Sequence, residues 1–380
     1  MRQRRRQFDF RERLDATLAR LEVHPPFQPI VSEMRSVLAF PGIDEKQLQQ
    51  VAEVCLWSLK RLPSEQDVAS DRFLFDYCLI HEVGAGWTDS GLAVPAMIYP
   101  AYEQPWSYQR VPLGHPSMTR NACVDVIRFP GEAFRSEVHL LEYPWLLHEL
   151  AHSAFKAHTE VFLGATADVC ASAVTRRRAR SISLHGDAQR KARELSDLMA
   201  TYWGPHADRN HWALELACDL FATWTTGPAY LAAFLDYVSS PNVELFEIDS
   251  RHPPYVVRLQ LLEQVGRRLG WQHEADLITK LLESHSRQRE AWATVANLAD
   301  DDLVLELSSS LLTCLNESHI PRCTPADVHR AERRITDPNL SEFGIGLLLD
   351  AYVAHQSMSD DAFDQWHTTV VELLSESIRL

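Results

Sequence analysis

The stretch YPWLLHELAHSAF, residues 143–155, places two histidines and a glutamate among Trp, Leu, Ala and Phe. Imidazole and carboxylate groups are costly to bury without partners, so an apolar helix that carries three of them needs something to compensate them. Their spacing suggests a metal. HELAH (148–152) fits the HExxH pattern, in which histidines at i and i+4 bind zinc and the glutamate serves as base. Four residues advance an α-helix by about 400°, so His148 and His152 project almost the same way, one turn apart. Glu149 stands about 100° round the helix, close enough to reach a water on the metal without itself ligating. Pro144 suits a first helical turn and supports this register.

A catalytic zinc takes three protein ligands and keeps a position for water, so a third ligand has to come from elsewhere. ALELACDLFATW (213–224) offers Glu215 and Asp219, again at i and i+4 on an apolar helix. Glu215 can ligate, while Asp219 can accept a hydrogen bond from a ligand histidine and fix its tautomer. Without HELAH the same two residues would read as a half-exposed acidic pair. Farther on, RHPPYVVRLQLL (251–262) sets His252 before two prolines and Arg258 within a helix start.

In that order, HELAH, ELACD and HPPYVVRL resemble the HExxH, ExxxD and HPxxxxR-like segments of gluzincin metallopeptidases of the heat-shock membrane protease and CAAX prenyl protease type. The likeness covers about 148–262, a third of the chain. It implies zinc on His148, His152 and Glu215, with Glu149 as the base and Asp219 supporting His148. His252 would lie near the metal, either as a fourth ligand at rest or as a transition-state donor, and Arg258 would brace the site. The implied activity is peptide-bond hydrolysis on a zincin-like core, with a protein or peptide as substrate. This chain departs from the membrane members because it has no run of about 18 apolar residues that could span a bilayer.

A rival within the same chemistry is His158, ten residues after His148, the spacing of HExxHxxGxxH. There a glycine lets the chain leave the helix sharply, whereas here that position is Phe155, which resists positive φ. In a continuing helix His158 would lie about 80° from His148 and roughly 15 Å along the axis. Glu215 is therefore favoured as third ligand, and Met199 is only a weak candidate for a Met-turn. His206 and His211 suit capping or surface roles. Cys170 and Cys218 fall on apolar helical faces and read as buried structural cysteines.

The elements that must position these groups are mostly helical. The expected class is α+β, predominantly α-helical: a helical region over 1–82, a metallopeptidase core over 83–270 with a small sheet, and a helical region over 271–380. Asp44 gives a helix-cap signal in IDEKQLQQVAEVCLWSLKRL (43–62). The sheet is expected within 84–135, which holds 5 of the 14 Gly and 6 of the 20 Pro. CVDVIRF (123–129) reads as a strand, and AVPAMIY (93–99) as an edge strand because of Pro95. A substrate peptide could add to the edge of a strand such as 123–129. Helices are expected at 144–157, 160–180, 187–203, 210–225, 228–239 and 253–269.

The formal charge of −15 argues against broad affinity for nucleic acid or anionic membrane. The basic stretches MRQRRRQ and TRRRAR (175–180) suit a solvated terminus and a solvated helix end. Seven cysteines without a CxxC pair fit a reducing compartment, and no secretory signal is evident, so a cytoplasmic protein is expected. A different functional class stays open: a helical regulatory or interaction protein that keeps a zinc without turnover. If His252 closes the fourth position, such a protein would be latent until a regulatory protein partner or a substrate displaces it.

Overall fold

The computed structural model describes residues 13–23, 27–40, 43–59, 96–101, 107–113, 123–130, 140–157, 159–182, 184–203, 211–318, 320–337 and 344–379. The chain forms two compact units, one of residues 1–139 with 368–380, the other of residues 140–367. The described residues are predominantly helical with one small sheet.

In the first unit, α1 (13–22), α2 (Gln28–Leu38) and α3 (Glu45–Leu59) accompany β1 (Ala96–Ala101), β2 (Ser107–Pro112) and β3 (Cys123–Pro130). Leu14, Leu18 and Leu21 recur at helical spacing and join Ile30, Met34, Val51, Val54, Val124 and Val126 in one core. Asp44 caps α3 as expected: its carboxylate accepts from the Gln47 backbone N–H at 2.9 Å, and the Gln47 side chain accepts from the Asp44 N–H at 2.8 Å. The helical reading of residues 60–82 falls outside the described residues, as does Pro95.

The sheet has the order β1-β3-β2, with β1 parallel and β2 antiparallel to β3. The expectation that 123–129 could receive a peptide at its edge is therefore corrected, because β3 uses both of its ladder sides within the sheet. The burial of all of Cys123–Ile127 fits that central place. Asp125, fully buried on β3, is held by Tyr108 Oη at 2.7 Å and by Arg110 Nε and Nη2 at 2.8 and 2.9 Å. β1 is one of the two edge strands, in agreement with its Pro100.

The second unit is helical. It opens with a 3₁₀ turn, Leu140–Glu142, followed by α4 (Pro144–Ala157), α5 (Thr159–Ile182), α6 (Gly186–Trp203), α7 (His211–Thr226), α8 (Pro228–Val238) and α9 (Tyr255–Leu269). Next come α10 (Gln272–Ser284), α11 (Arg289–Leu298), α12 (Asp301–Glu317), α13 (Pro325–Arg334), α14 (Ile345–Ser357) and α15 (Asp360–Arg379), of which the last runs on into the first unit. The six helices expected between 144 and 269 are all present, with ends shifted by a residue or two.

At the centre is α7, packed on by α4, α5, α6, α8, α9, α12 and α14. Its sequence is apolar nearly all round, as a helix enclosed on every side requires, and Trp212, Leu216, Leu220 and Phe221 are fully buried. Gly227 ends it with φ +57°, and Pro228 starts α8 at once. A Cβ on Gly227 would come within 2.8 Å of both Cys323 Sγ and the Trp271 ring, so space and backbone angle both demand glycine there. The expected basic helix end lies on α5, where Arg176 meets Glu306 at 2.8 Å and Arg177 meets Asn297 at 2.9 Å. Among the described residues, no helix is long and apolar enough to cross a membrane.

Candidate metal centre

α4 starts on Pro144 and buries Leu146, Leu147, Leu150, Ala151 and Phe155. Its entry is pinned by the Leu140 N–H, which donates to His367 Nε2 at 3.1 Å. The i, i+4 spacing brings the rings of His148 and His152 to 5.2 Å between centroids. His148, Glu149 and His152 are 2, 6 and 7% exposed. The three groups that sequence alone made costly are indeed buried, so their partners decide what the site can do.

Those partners come from α7. The Glu215 carboxylate spans the two histidines, with Oε2 at 3.2 Å from His148 Nε2 and Oε1 at 3.4 Å from His152 Nε2. One turn later, Asp219 Oδ1 lies 2.9 Å from His148 Nδ1. The two nitrogens of His148 thus face two different carboxylates, and Asp219 fixes which of them carries the proton when the other is engaged.

Asp219 is itself held from behind. Arg258 on α9 donates Nε to Oδ2 at 2.7 Å and Nη2 to Oδ1 at 2.6 Å, a bidentate pair that is 4% exposed on one side and fully buried on the other. Tyr230 on α8 donates its hydroxyl to Asp219 Oδ1 at 2.5 Å and lies 3.2 Å from His148 Nδ1. The guanidinium lies 4.9 Å from the Phe234 ring centre, 5.5 Å from Tyr255 and 6.0 Å from Trp145. These rings dry the pair and favour the cation over their faces.

The charges follow from this packing. Burial opposes ionisation of Glu215, but His152 and His148 hold its carboxyl well below the usual range. Burial likewise opposes the Asp219 charge, and Arg258 more than offsets it. For His148, burial works against protonation, yet the hydrogen bonds to Asp219 and Glu215 lift it to about 9. Burial pushes Glu149 up to about 7, against the attraction of His148. A carboxyl poised near neutrality beside two imidazoles has the properties of a proton-transfer group.

The donor set fits zinc. Ligands at about 2.1 Å in tetrahedral array stand roughly 3.3 Å from one another, and each Nε2 atom has one of the two Glu215 oxygens at about that separation. Two imidazoles with a carboxylate suit zinc better than calcium or magnesium, which prefer all-oxygen sites.

The structure gathers His148, Glu149, His152, Glu215, Asp219 and Arg258, though Arg258 touches Asp219 rather than the ligating atoms and is therefore a positioning group. It does not bring His252 into the cluster. That ring pairs with Asp249 at 2.9 Å, with side chains 53 and 46% exposed, and the Asp249 carbonyl accepts from Trp212 Nε1 at 2.9 Å. His158 and His206 lie outside the described residues. Sequence reasoning missed Tyr230, and it read Cys218 only as a packing residue, whereas a ring nitrogen of each histidine and Cys218 Sγ all lie within 4.8 Å of one another. The i+3 spacing from Glu215 was the available signal for Cys218; Tyr230 had none beyond its place in the next helix.

Compared with protein-family models, with curated proteins and with solved structures, the chain gives no match.

Proposed function

We propose that the chain is a zinc-dependent metallopeptidase of gluzincin type, with the α4 and α7 pair forming the centre of a zincin-like core. His148, His152 and Glu215 hold the ion. The observation that carries this reading is the Glu215 carboxylate spanning both Nε2 atoms at 3.2 and 3.4 Å, with Asp219 behind His148. An ion pair alone would account for His148 and Glu215, but it gives no reason for Glu149 to be buried alongside them.

When bound, zinc supplies a Lewis acid for the scissile carbonyl and makes a water acidic enough to attack near neutral pH. Glu149 accepts the proton of that water and returns it to the leaving amine. Asp219 holds His148 by Nδ1 and leaves Nε2, which faces Glu215, as the nitrogen that would ligate, and Arg258 and Tyr230 hold Asp219. The substrate class is protein or peptide.

The test is digestion of an unbiased peptide mixture by the zinc-loaded full chain beside Glu149→Gln. The variant should keep its metal while turnover falls by at least ~10²-fold, the contribution of a positioned general base. Equal cleavage by both proteins would remove Glu149 from the mechanism, and no cleavage by the zinc-loaded wild type would refute the peptidase reading.

A further inference from the structure

Cys218 follows Glu215 by three residues on α7, about 300° along the helix and so only about 60° from it in projection. Its side chain is fully buried, and its Sγ lies within 4.8 Å of a ring nitrogen of both His148 and His152. Among the described residues these three are the side chains of metal-ligating type that bring one atom each within 4.8 Å of one another; Glu215 stands outside that group and meets each histidine through a different oxygen. Cys55, Cys170 and Cys323 are buried as well, so burial alone does not distinguish Cys218; the two imidazoles beside it do.

We infer that Cys218 is a fourth protein donor to the ion at His148, His152 and Glu215, so that the resting centre is closed by a thiolate. This rests on the metal reading above and adds a regulatory state to it. Zinc–sulfur and zinc–nitrogen bonds of about 2.3 and 2.1 Å in tetrahedral array place sulfur roughly 3.6 Å from each nitrogen. Closing from a separation of no more than 4.8 Å takes at most on the order of 1 Å, within reach of a small side-chain rotation. On ligation the S–H bond breaks, the sulfur lone pair goes to the ion, and the proton leaves to solvent. No electron is transferred and no oxidant is needed. The position that an attacking water requires is then filled, and a substrate carbonyl must displace the sulfur before Glu149 has a water to deprotonate.

Cobalt(II) loading of the full chain tests this without reference to activity. The wild type should take up cobalt with d–d absorption of a tetrahedral site and with a sulfur-to-cobalt charge-transfer band in the near ultraviolet. Cys218→Ser should keep the cobalt and lose that band. Cobalt bound without the band in the wild type, or a band that persists in Cys218→Ser, would overturn the role of Cys218 and leave the histidine and glutamate centre standing. Failure of the wild type to take up either cobalt or zinc would overturn the centre itself. Should Cys218→Ser not fold, X-ray absorption on the zinc-loaded wild type decides: a sulfur scatterer at ~2.3 Å is expected, and a shell of nitrogen and oxygen alone overturns the inference.

Discussion

Replacing Arg258 by methionine should destabilise the helical unit far more than loss of a surface charge. Asp219 Oδ2 accepts only from Arg258 Nε among the described residues, whereas Oδ1 accepts from Arg258, Tyr230 and His148. Arg258→Met leaves Oδ1 two of its partners, strips Oδ2, and removes the countercharge from a carboxylate with no exposure to water. Breaking one side of such a buried pair costs about 3–5 kcal/mol, because the buried carboxylate keeps only the His148 imidazole, which it shares with Glu215, as a countercharge. The favourable placement of the cation over Phe234, Tyr255 and Trp145 is lost as well, while the methionine recovers part of the packing. The assay is urea unfolding of metal-free protein followed by tryptophan fluorescence, since Trp145, Trp203, Trp212 and Trp224 all lie in this unit. With a denaturant slope of about 3 kcal/mol/M, the midpoint should fall by about 1–1.7 M. Arg176→Met is the control: its pair with Glu306 is 44 and 43% exposed and should cost no more than ~1 kcal/mol. An Arg258→Met midpoint that matches the control would refute the view that Arg258 holds Asp219 in a dry site.

Tyr230→Phe removes one donor from Asp219 without touching a ligand, and it should weaken zinc binding by about 10–100-fold in competition with a chromophoric chelator; unchanged affinity would place Tyr230 outside the support of His148. Gly227→Ala should lower stability by at least ~2 kcal/mol, since it combines φ +57° with contacts at 2.8 Å, and a thermal midpoint equal to that of the wild type would contradict the close approach of Trp271 and Cys323. His252→Ala should leave the zinc content intact, because its ring is engaged with Asp249 at the surface; loss of metal in that variant would return His252 to the site.

Much of the site could be read from local spacing. His148 with His152, and Glu215 with Asp219, each depend only on helical periodicity, and both helices formed where the apolar pattern placed them. The Asp44 cap was legible for the same reason, since its partner is three residues away. Strand 123–129 was recognisable as a strand, but its central place depends on two distant segments pairing with it, which its own alternation does not encode. Tyr230 reaches Asp219 only because Gly227 turns α8 back along α7, a matter of packing that no motif carries. At His252 the two prolines suggested a ring held toward a cleft, but local bonding won: Asp249 takes the imidazole with its carboxylate and Trp212 with its carbonyl, so the loop is tied at the surface. Cys218 shows how a plausible bland reading hides a candidate ligand, since burial and ligation are compatible for a thiol.

The most direct test of the account is the metal content of the full chain purified without chelator, measured by elemental analysis beside Glu149→Gln and Glu215→Ala. The account predicts one zinc per chain in the wild type and in Glu149→Gln, and clearly weakened binding in Glu215→Ala, seen as zinc lost to a chelator that the wild type resists. A wild type that carries no zinc and takes none up on addition, or a Glu215→Ala variant that binds it as the wild type does, would contradict the assignment of the α4 and α7 cluster as a zinc centre.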